Sequence, residues 1–174
     1  MTVPDQIRTG RLTLKPPVLE DAAAIVVAMS DFDVVRWLTR PPWPYTRADA
    51  EEFLSKNLNN GQVFMVHDSS GLVGCVGCSG EFGYWIAKPA WGRGYVTEAA
   101  RAVLHHNFVN LGGDDLLSGH LSGNARSARV LDKLGFGPAP DRVVRSRALN
   151  RDVTIKGRIL TRAAYFAGPD PAQP

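Results

Sequence analysis

The segment Gly83–Leu111, GYWIAKPAWGRGYVTEAARAVLHHNFVNL, reads as a buried strand, a glycine turn and a long amphipathic helix. The strand is Tyr84–Ala87, bounded by Gly83 and by Pro89, which has no N–H to give to a ladder. Beyond the turn, Val96, Ala99, Ala100, Val103, Leu104, Phe108 and Leu111 recur at three- and four-residue steps. Thr97, Glu98, Arg101 and His105 fall on the opposite face. Between strand and helix lies Trp91-Gly92-Arg93-Gly94-Tyr95-Val96. Its two glycines let the backbone turn tightly and approach a ligand closely. The N–H groups of such a turn, with the positive end of a helix behind them, suit a phosphate or pyrophosphate. A turn that only caps its helix would look the same.

Upstream, Arg11–Lys15 alternates and stops at Pro16-Pro17, a short strand. Glu20–Met29 and Asp33–Leu38 are helical in composition, and Arg40-Pro41-Pro42-Trp43-Pro44-Tyr45 is a rigid loop carrying aromatics. Thr46-Arg47-Ala48-Asp49 forms a capping box, with Asp in the Glu position, for a helix over Arg47–Asn57. Val63–His67 and Leu72–Cys78 are strands joined by the hairpin chemistry of Asp68-Ser69-Ser70-Gly71. Downstream, Gly112-Gly113 ends the long helix and Leu116–Leu121 is a strand. Asn124 opens a helix over Ala125–Leu134, closed by Gly135 as a left-handed cap. Two further strands are expected near Asp141–Ala148 and Asp152–Leu160. The Pro-rich tail Gly168–Pro174 is expected to be disordered, leaving a single domain over 1–167. This order predicts an α/β fold whose sheet is mixed and mostly antiparallel, with helices on both faces.

The 174 residues are 44% hydrophobic and 21% charged, enough apolar material for one globular core without staples. The longest apolar run, Ala22–Met29, is too short to span a bilayer, and a cytoplasmic location is expected. Residues 126–162 hold ten Lys/Arg against three Asp/Glu, whereas the remainder holds ten against fourteen. A basic C-terminal third could meet nucleic acid, an acidic substrate or a phosphorylated cofactor, or be a solvated face. Nucleic acid is disfavoured, because no aromatics are interleaved with those charges to stack on bases. Cys75 and Cys78 have CxxC spacing, but an offset of three in a strand puts them on opposite faces. No second CxxC or His pair completes a tetrahedral site, so buried thiols and no metal are expected.

Asn124-Ala-Arg-Ser127-Ala-Arg-Val-Leu-Asp-Lys-Leu-Gly135-Phe136, downstream of Gly83-Tyr-Trp-Ile and Trp91-Gly-Arg-Gly-Tyr-Val-Thr-Glu-Ala, resembles the GNAT acetyltransferases. More narrowly, it resembles their RimJ/RimL-like branch. Arg8-Thr-Gly-Arg-Leu-Thr-Leu, the Pro44-Tyr45-Thr46 loop and Leu160-Thr161-Arg162 extend the resemblance over residues 8–166. It implies acetyl-CoA as co-substrate and an amine acceptor, with the strand before the glycine turn splayed from the next. Pantetheine would bond to backbone groups of Tyr84, Trp85, Ile86 and Ala87. The pyrophosphate would take N–H groups of Gly92, Arg93, Gly94, Tyr95 and Val96, flanked by Trp91 and Thr97. Val96 stands where the family usually carries Gly or Ala.

The resemblance also gives Asn124 a pantetheine contact beside its reading as an N-cap. Ser127 would set its hydroxyl beside the departing CoA thiolate; otherwise it is a small residue packed on the sheet. Many relatives carry an acidic tyrosine where this chain has Leu131, so Ser127 is the hydroxyl left for that task. A general base is also required. Glu81 is the first candidate, with Asp141 and His120 behind it. Trp37, Trp43, Tyr45 and Phe82, with His120, are candidates for an amine pocket, or are packing anchors. The reading is an N-acetyltransferase, as a monomer or homodimer. Its rivals are a non-catalytic acyl-CoA sensor and a nucleic-acid-binding module.

Overall fold

The computed structural model describes residues 6–168; the tail expected over Gly168–Pro174 lies outside that range apart from Gly168. The first pairing is β1 (Ile7–Arg8) with β2 (Thr13–Lys15), across a turn in which Thr9 N donates to Leu12 O at 3.0 Å. β1 is too short to carry a period and was not expected. Helices α1 (Ala22–Met29) and α2 (Phe32–Val35) follow, the second only one turn long. α3 (Arg47–Asn57) opens on the expected capping box. Asp49 N donates to Thr46 Oγ1 at 3.3 Å, and Thr46 N donates to Asp49 Oδ2 at 2.9 Å.

Next come β3 (Val63–Asp68), β4 (Gly71–Gly77) and β5 (Gly83–Ile86), and β1 to β5 form one antiparallel sheet in chain order. Strand alternation divides its two faces. Phe64, Val66 and Val76 pack with α4 (Tyr95–His105), while Val63, Met65 and Cys75 pack under α1 and α3. The two cysteines obey the same rule: Cys75 lies in one cluster and Cys78 in the other, both as buried free thiols.

The long helix is not continuous to Leu111. After α4 it widens into a π turn, His106–Asn110, which carries the polar His106 and Asn107 into the interior. There His106 Nε2 meets Gly61 O at 3.2 Å. The second sheet contains β6 (Leu116–Leu121), β7 (Gly137–Pro138), β8 (Arg142–Ser146) and β9 (Arg151–Leu160), with β9 paired to the other three. Between β6 and β7 runs α5 (Ala125–Lys133), followed by Gly135 at φ +85°, the left-handed cap the sequence called for. A final short helix, α6 (Arg162–Ala167), was not expected. Its Tyr165 stacks on the buried Phe108 with ring centroids 4.6 Å apart, a pairing worth about 1 kcal/mol beyond its burial.

The strands therefore form two sheets rather than one. They are linked at the mouth of β5, where Phe82 N donates to Leu117 O at 2.8 Å and Ser118 Oγ donates to Phe82 O at 2.9 Å. Past that point β5 and β6 share no ladder. This is the splay the sequence resemblance implied, and it opens a cleft between the sheets.

Candidate active site

The cleft has a volume of about 1180 Å³. One wall is the free edge of β5. Ala87 N donates to Val73 O at 2.8 Å, and Trp85 lies opposite Cys75 in the ladder, so both residues spend backbone groups on β4. Antiparallel alternation then turns the N–H and C=O of Tyr84 and Ile86 toward the cleft. The Ile86 carbonyl is already engaged by Trp91 Nε1 at 2.8 Å. Of the four residues expected to meet pantetheine through their backbone, Tyr84 and Ile86 are the two with groups facing it.

At the cleft's end the glycine turn has Gly92 at φ +75° and Gly94 at φ +77°, left-handed positions that glycine adopts without strain. Gly94 is the N-cap of α4 and Glu98 N is the first helix amide bonded to it, at 3.1 Å. The amides of Tyr95, Val96 and Thr97 precede that bond, so the helix leaves them as free donors. Tyr95, Val96 and Thr97 all line the cleft; Arg93 does not. Arg93 instead reaches toward Asp68, 3.8 Å away.

A clamp holds the turn that no local signal in the sequence announced. Arg11 Nε donates to Glu98 Oε2 at 2.7 Å, and Arg11 Nη1 donates to the Arg93 carbonyl at 2.8 Å. Thr9 Oγ1 adds a bond of 2.6 Å to Glu98. Burial alone would raise the Glu98 carboxyl, but the bonds from Thr9 and Arg11 outweigh it and hold the group below the usual range. Glu98 is thus a structural carboxylate in the first turn of α4, not a solvated one.

Across the cleft, Asn124 Oδ1 accepts from Ser127 N at 3.1 Å, the N-cap of α5. Ser127 Oγ in turn lies 2.7 Å from the Tyr84 hydroxyl. Burial pushes that phenol up to about 12, against the opposing pull of the Ser127 bond, so it stays a neutral O–H at physiological pH. Two hydroxyls therefore sit together where the sequence offered one. Leu131 is fully buried one turn further along α5.

The candidate bases separate clearly. Glu81 lines the cleft, but its Oε2 accepts from Arg142 Nη2 at 2.7 Å. Asp141 does not line it. Its carboxylate accepts from Lys156 at 2.7 Å and from Gly157 N at 3.2 Å, which hold it below the usual range on the outer surface. His120 lines the cleft, and its Nδ1 donates to Leu121 O at 3.1 Å. A carbonyl only accepts, so Nδ1 carries the proton of that bond. Nε2 is buried and has no partner among the described residues.

Trp37 and Tyr45 line the opposite wall, with burial pushing the Tyr45 phenol up to about 12. Phe82 reaches the cleft but belongs chiefly to the core, stacked on Phe136 at 5.2 Å. Trp43 packs on Phe32 at 5.1 Å and is not part of the wall. Four of the ten cations in the basic C-terminal third stand in ion pairs: Arg142 with Glu81, Arg145 with Asp152, Lys156 with Asp141 and Arg158 with Asp132. Arg162 is spent on the carbonyls of Phe108 and Gly113. No group of metal-ligating side chains occurs among the described residues. None of the helices among them is long and apolar enough to cross a membrane.

Residues 11–137 match the model of the acetyltransferase (GNAT) domain, so the chain belongs to the GNAT acetyltransferase family. Among curated proteins it is 29% identical over 140 residues to an uncharacterized N-acetyltransferase, YnaD, of Bacillus subtilis. That match covers 75% of this chain and 81% of the relative. The spermidine N-acetyltransferase of Vibrio cholerae, solved with CoA and spermine, has the same fold: TM-score 0.76 at 18% identity, covering 91% of this chain and 99% of that one. So does the ribosomal-protein-S5-alanine acetyltransferase of Vibrio fischeri: TM-score 0.75 at 16% identity, covering 94% and 99%.

Proposed function

We propose that this GNAT domain transfers the acetyl group of acetyl-CoA to a primary amine by direct attack. The observation that carries the reading is the cleft between β5 and β6, with the glycine turn at one end and the Tyr84–Ser127 hydroxyl pair inside it. Pantetheine lies along the free edge of β5, bonded to Tyr84 and Ile86. The pyrophosphate sits on the amides that open α4. The amine nitrogen forms a bond to the thioester carbonyl carbon as the C–S bond breaks. The leaving thiolate accepts a hydrogen bond from Ser127, and the amine's proton leaves to a base at the cleft wall, Glu81 or His120, directly or through water. A β5 amide polarises the acetyl oxygen.

Calorimetric titration with acetyl-CoA, and with CoA for comparison, tests the first half of this reading. Micromolar binding of both is expected. Protein free of co-purified CoA that gives no heat with either would refute it. Release of free thiol in the presence of an amine tests the second half and separates an enzyme from an acyl-CoA sensor of the same fold.

A further inference from the structure

Beside the main cleft is a smaller chamber of about 540 Å³, lined by Thr39, Arg40, Glu81, Arg142, Val144, Arg145 and Arg147. Thr39, Arg40, Glu81, Arg142 and Arg147 line the main cleft as well, so the two spaces are continuous. The chamber forms where the loop after α2 meets β8 and the turn beyond it. Arg147 N donates to Thr39 O at 3.0 Å, and Arg147 Nη1 donates to Arg40 O at 3.2 Å. Those two bonds fasten the loop to the hairpin and fix where the arginines stand.

Four arginines and one glutamate line this space. Arg142 answers Glu81 at 2.7 Å, and Arg145 leans out to Asp152 at 3.6 Å and Asn150 at 2.7 Å. Arg40 and Arg147 have no carboxylate within ion-pair distance among the described residues. Nearby on α3, Glu52 feels the charge of Arg147, but its hydrogen bond and ion pair are with Lys56. Two positive groups are therefore left uncompensated at the acceptor end of a cleft whose other end is already given over to the glycine turn. A guanidinium presents parallel N–H donors that match a carboxylate or a phosphate.

We propose that the amine acceptor carries an anionic group, a carboxylate or a phosphate, which Arg40 and Arg147 hold in this chamber while the amine enters the main cleft. The inference rests on the acetyltransferase reading and adds the class of acceptor to it. It disfavours polyamines, whose second cation would meet the same two arginines. Because both heads are exposed, their pull on an anion is screened by salt.

The test uses matched primary amines with acetyl-CoA: β-alanine against β-alaninamide, O-phosphoethanolamine against ethanolamine, and 1,3-diaminopropane as the dication. The expected result is a kcat/KM at least tenfold higher for an anionic amine than for its neutral partner. That advantage should shrink to within twofold in Arg40→Gln/Arg147→Gln, with KM for acetyl-CoA unchanged. It should also shrink as salt rises from about 50 to 500 mM, where the screening length contracts several-fold. The larger effect in one of the two pairs identifies carboxylate or phosphate. Arg40→Gln alone removes no hydrogen bond of the fold, so its loss of the advantage cannot be attributed to misfolding. Preference for neutral or dicationic amines, or an advantage that survives the double variant, overturns the proposal. Calorimetry of each anionic amine against the CoA-loaded protein reads the chamber without turnover. Binding that the double variant abolishes supports the chamber even where no amine is acetylated, an outcome that sinks only the catalytic reading. No heat from either anionic amine overturns the chamber and leaves acetyl-CoA binding intact.

Discussion

Removing the Tyr84–Ser127 contact tests the proposed chemistry and its structural basis together. The bond is 2.7 Å long, joins two neutral hydroxyls, and is part-buried, so its net worth to stability is about 1 kcal/mol. Ser127→Ala leaves the part-buried phenol only the carbonyl of residue 127 at 3.5 Å and should cost roughly 1–2 kcal/mol. Tyr84→Phe leaves a half-buried serine hydroxyl that water can reach, and should cost about 1 kcal/mol. The double variant removes both partners, so its cost should fall short of the sum by about 1 kcal/mol. In turnover the two singles should differ. A hydrogen bond to the developing thiolate is worth roughly 1.5–3 kcal/mol, so Ser127→Ala should lower kcat by about ten- to a hundredfold. Tyr84→Phe, which acts only by orienting the serine, should lower it by less than about tenfold. Urea midpoints give the stability cycle, and steady-state rates at saturating acetyl-CoA give the second comparison. Additive stability losses would show that the two hydroxyls do not communicate. A kcat for Ser127→Ala within twofold of the parent would refute the thiolate role.

Gly94→Ala places a side chain at φ +77°. If the free turn relaxes to relieve the left-handed strain of about 1–2 kcal/mol, restoring it around a pyrophosphate should weaken acetyl-CoA binding about tenfold by calorimetry. Affinity and urea midpoint both unchanged would contradict the strained turn. Burial lowers the His106 imidazole below its ordinary 6.5, and the neutral ring is held by Gly61 O on Nε2 and the Asn110 amide on Nδ1. The unfolded chain therefore binds a proton that the folded one refuses. Stability is full above about pH 6.5 and falls as the pH drops below it, toward the folded value. His67, lowered mainly by burial, adds to the same trend. A urea midpoint as high at pH 5.5 as at 7.5 contradicts this. Finally, burial pushes both cysteine thiols up to about 12. Neither should react with Ellman's reagent at pH 8 until the chain is unfolded, and prompt reaction of the native protein would place a thiol at the surface.

What could be read along the chain was local. The capping box at Thr46 and Asp49, the glycine turn, the N-cap at Asn124 and the cap at Gly135 each involve residues within four positions of one another. The alternation that sorted Cys75 from Cys78 is a property of one strand. Helix and strand periods carry such information because side-chain direction repeats every 3.6 or 2 residues. Short elements such as β1, β7 and α6 fall below the length at which a period can be counted. The π turn at His106 was hidden because its apolar neighbours keep the helical spacing. The resemblance supplied the splay, but not which backbone groups of β5 remain free, since that depends on the register of β5 on β4.

The site itself was decided by folding. Tyr84 and Ser127 stand 43 residues apart, Arg11 and Glu98 87 apart, and Arg40 and Arg147 107 apart. Nothing in the sequence near any of them marks the other, because each contact is fixed by how two sheets and three helices stack, not by a repeat along the chain. Tyr84 was read for its backbone, and its phenol found Ser127 only once β5 and α5 faced each other across the cleft. Glu81, the first candidate base, meets an arginine from β8, and His120 spends its Nδ1 on the next carbonyl in its own strand. The sequence by itself determined that a strand, a glycine turn and two helices would be present. Only the tertiary structure decided which side chains they bring together, since hydrogen bonds and ion pairs act over a few ångströms of space, however many residues of chain lie between them.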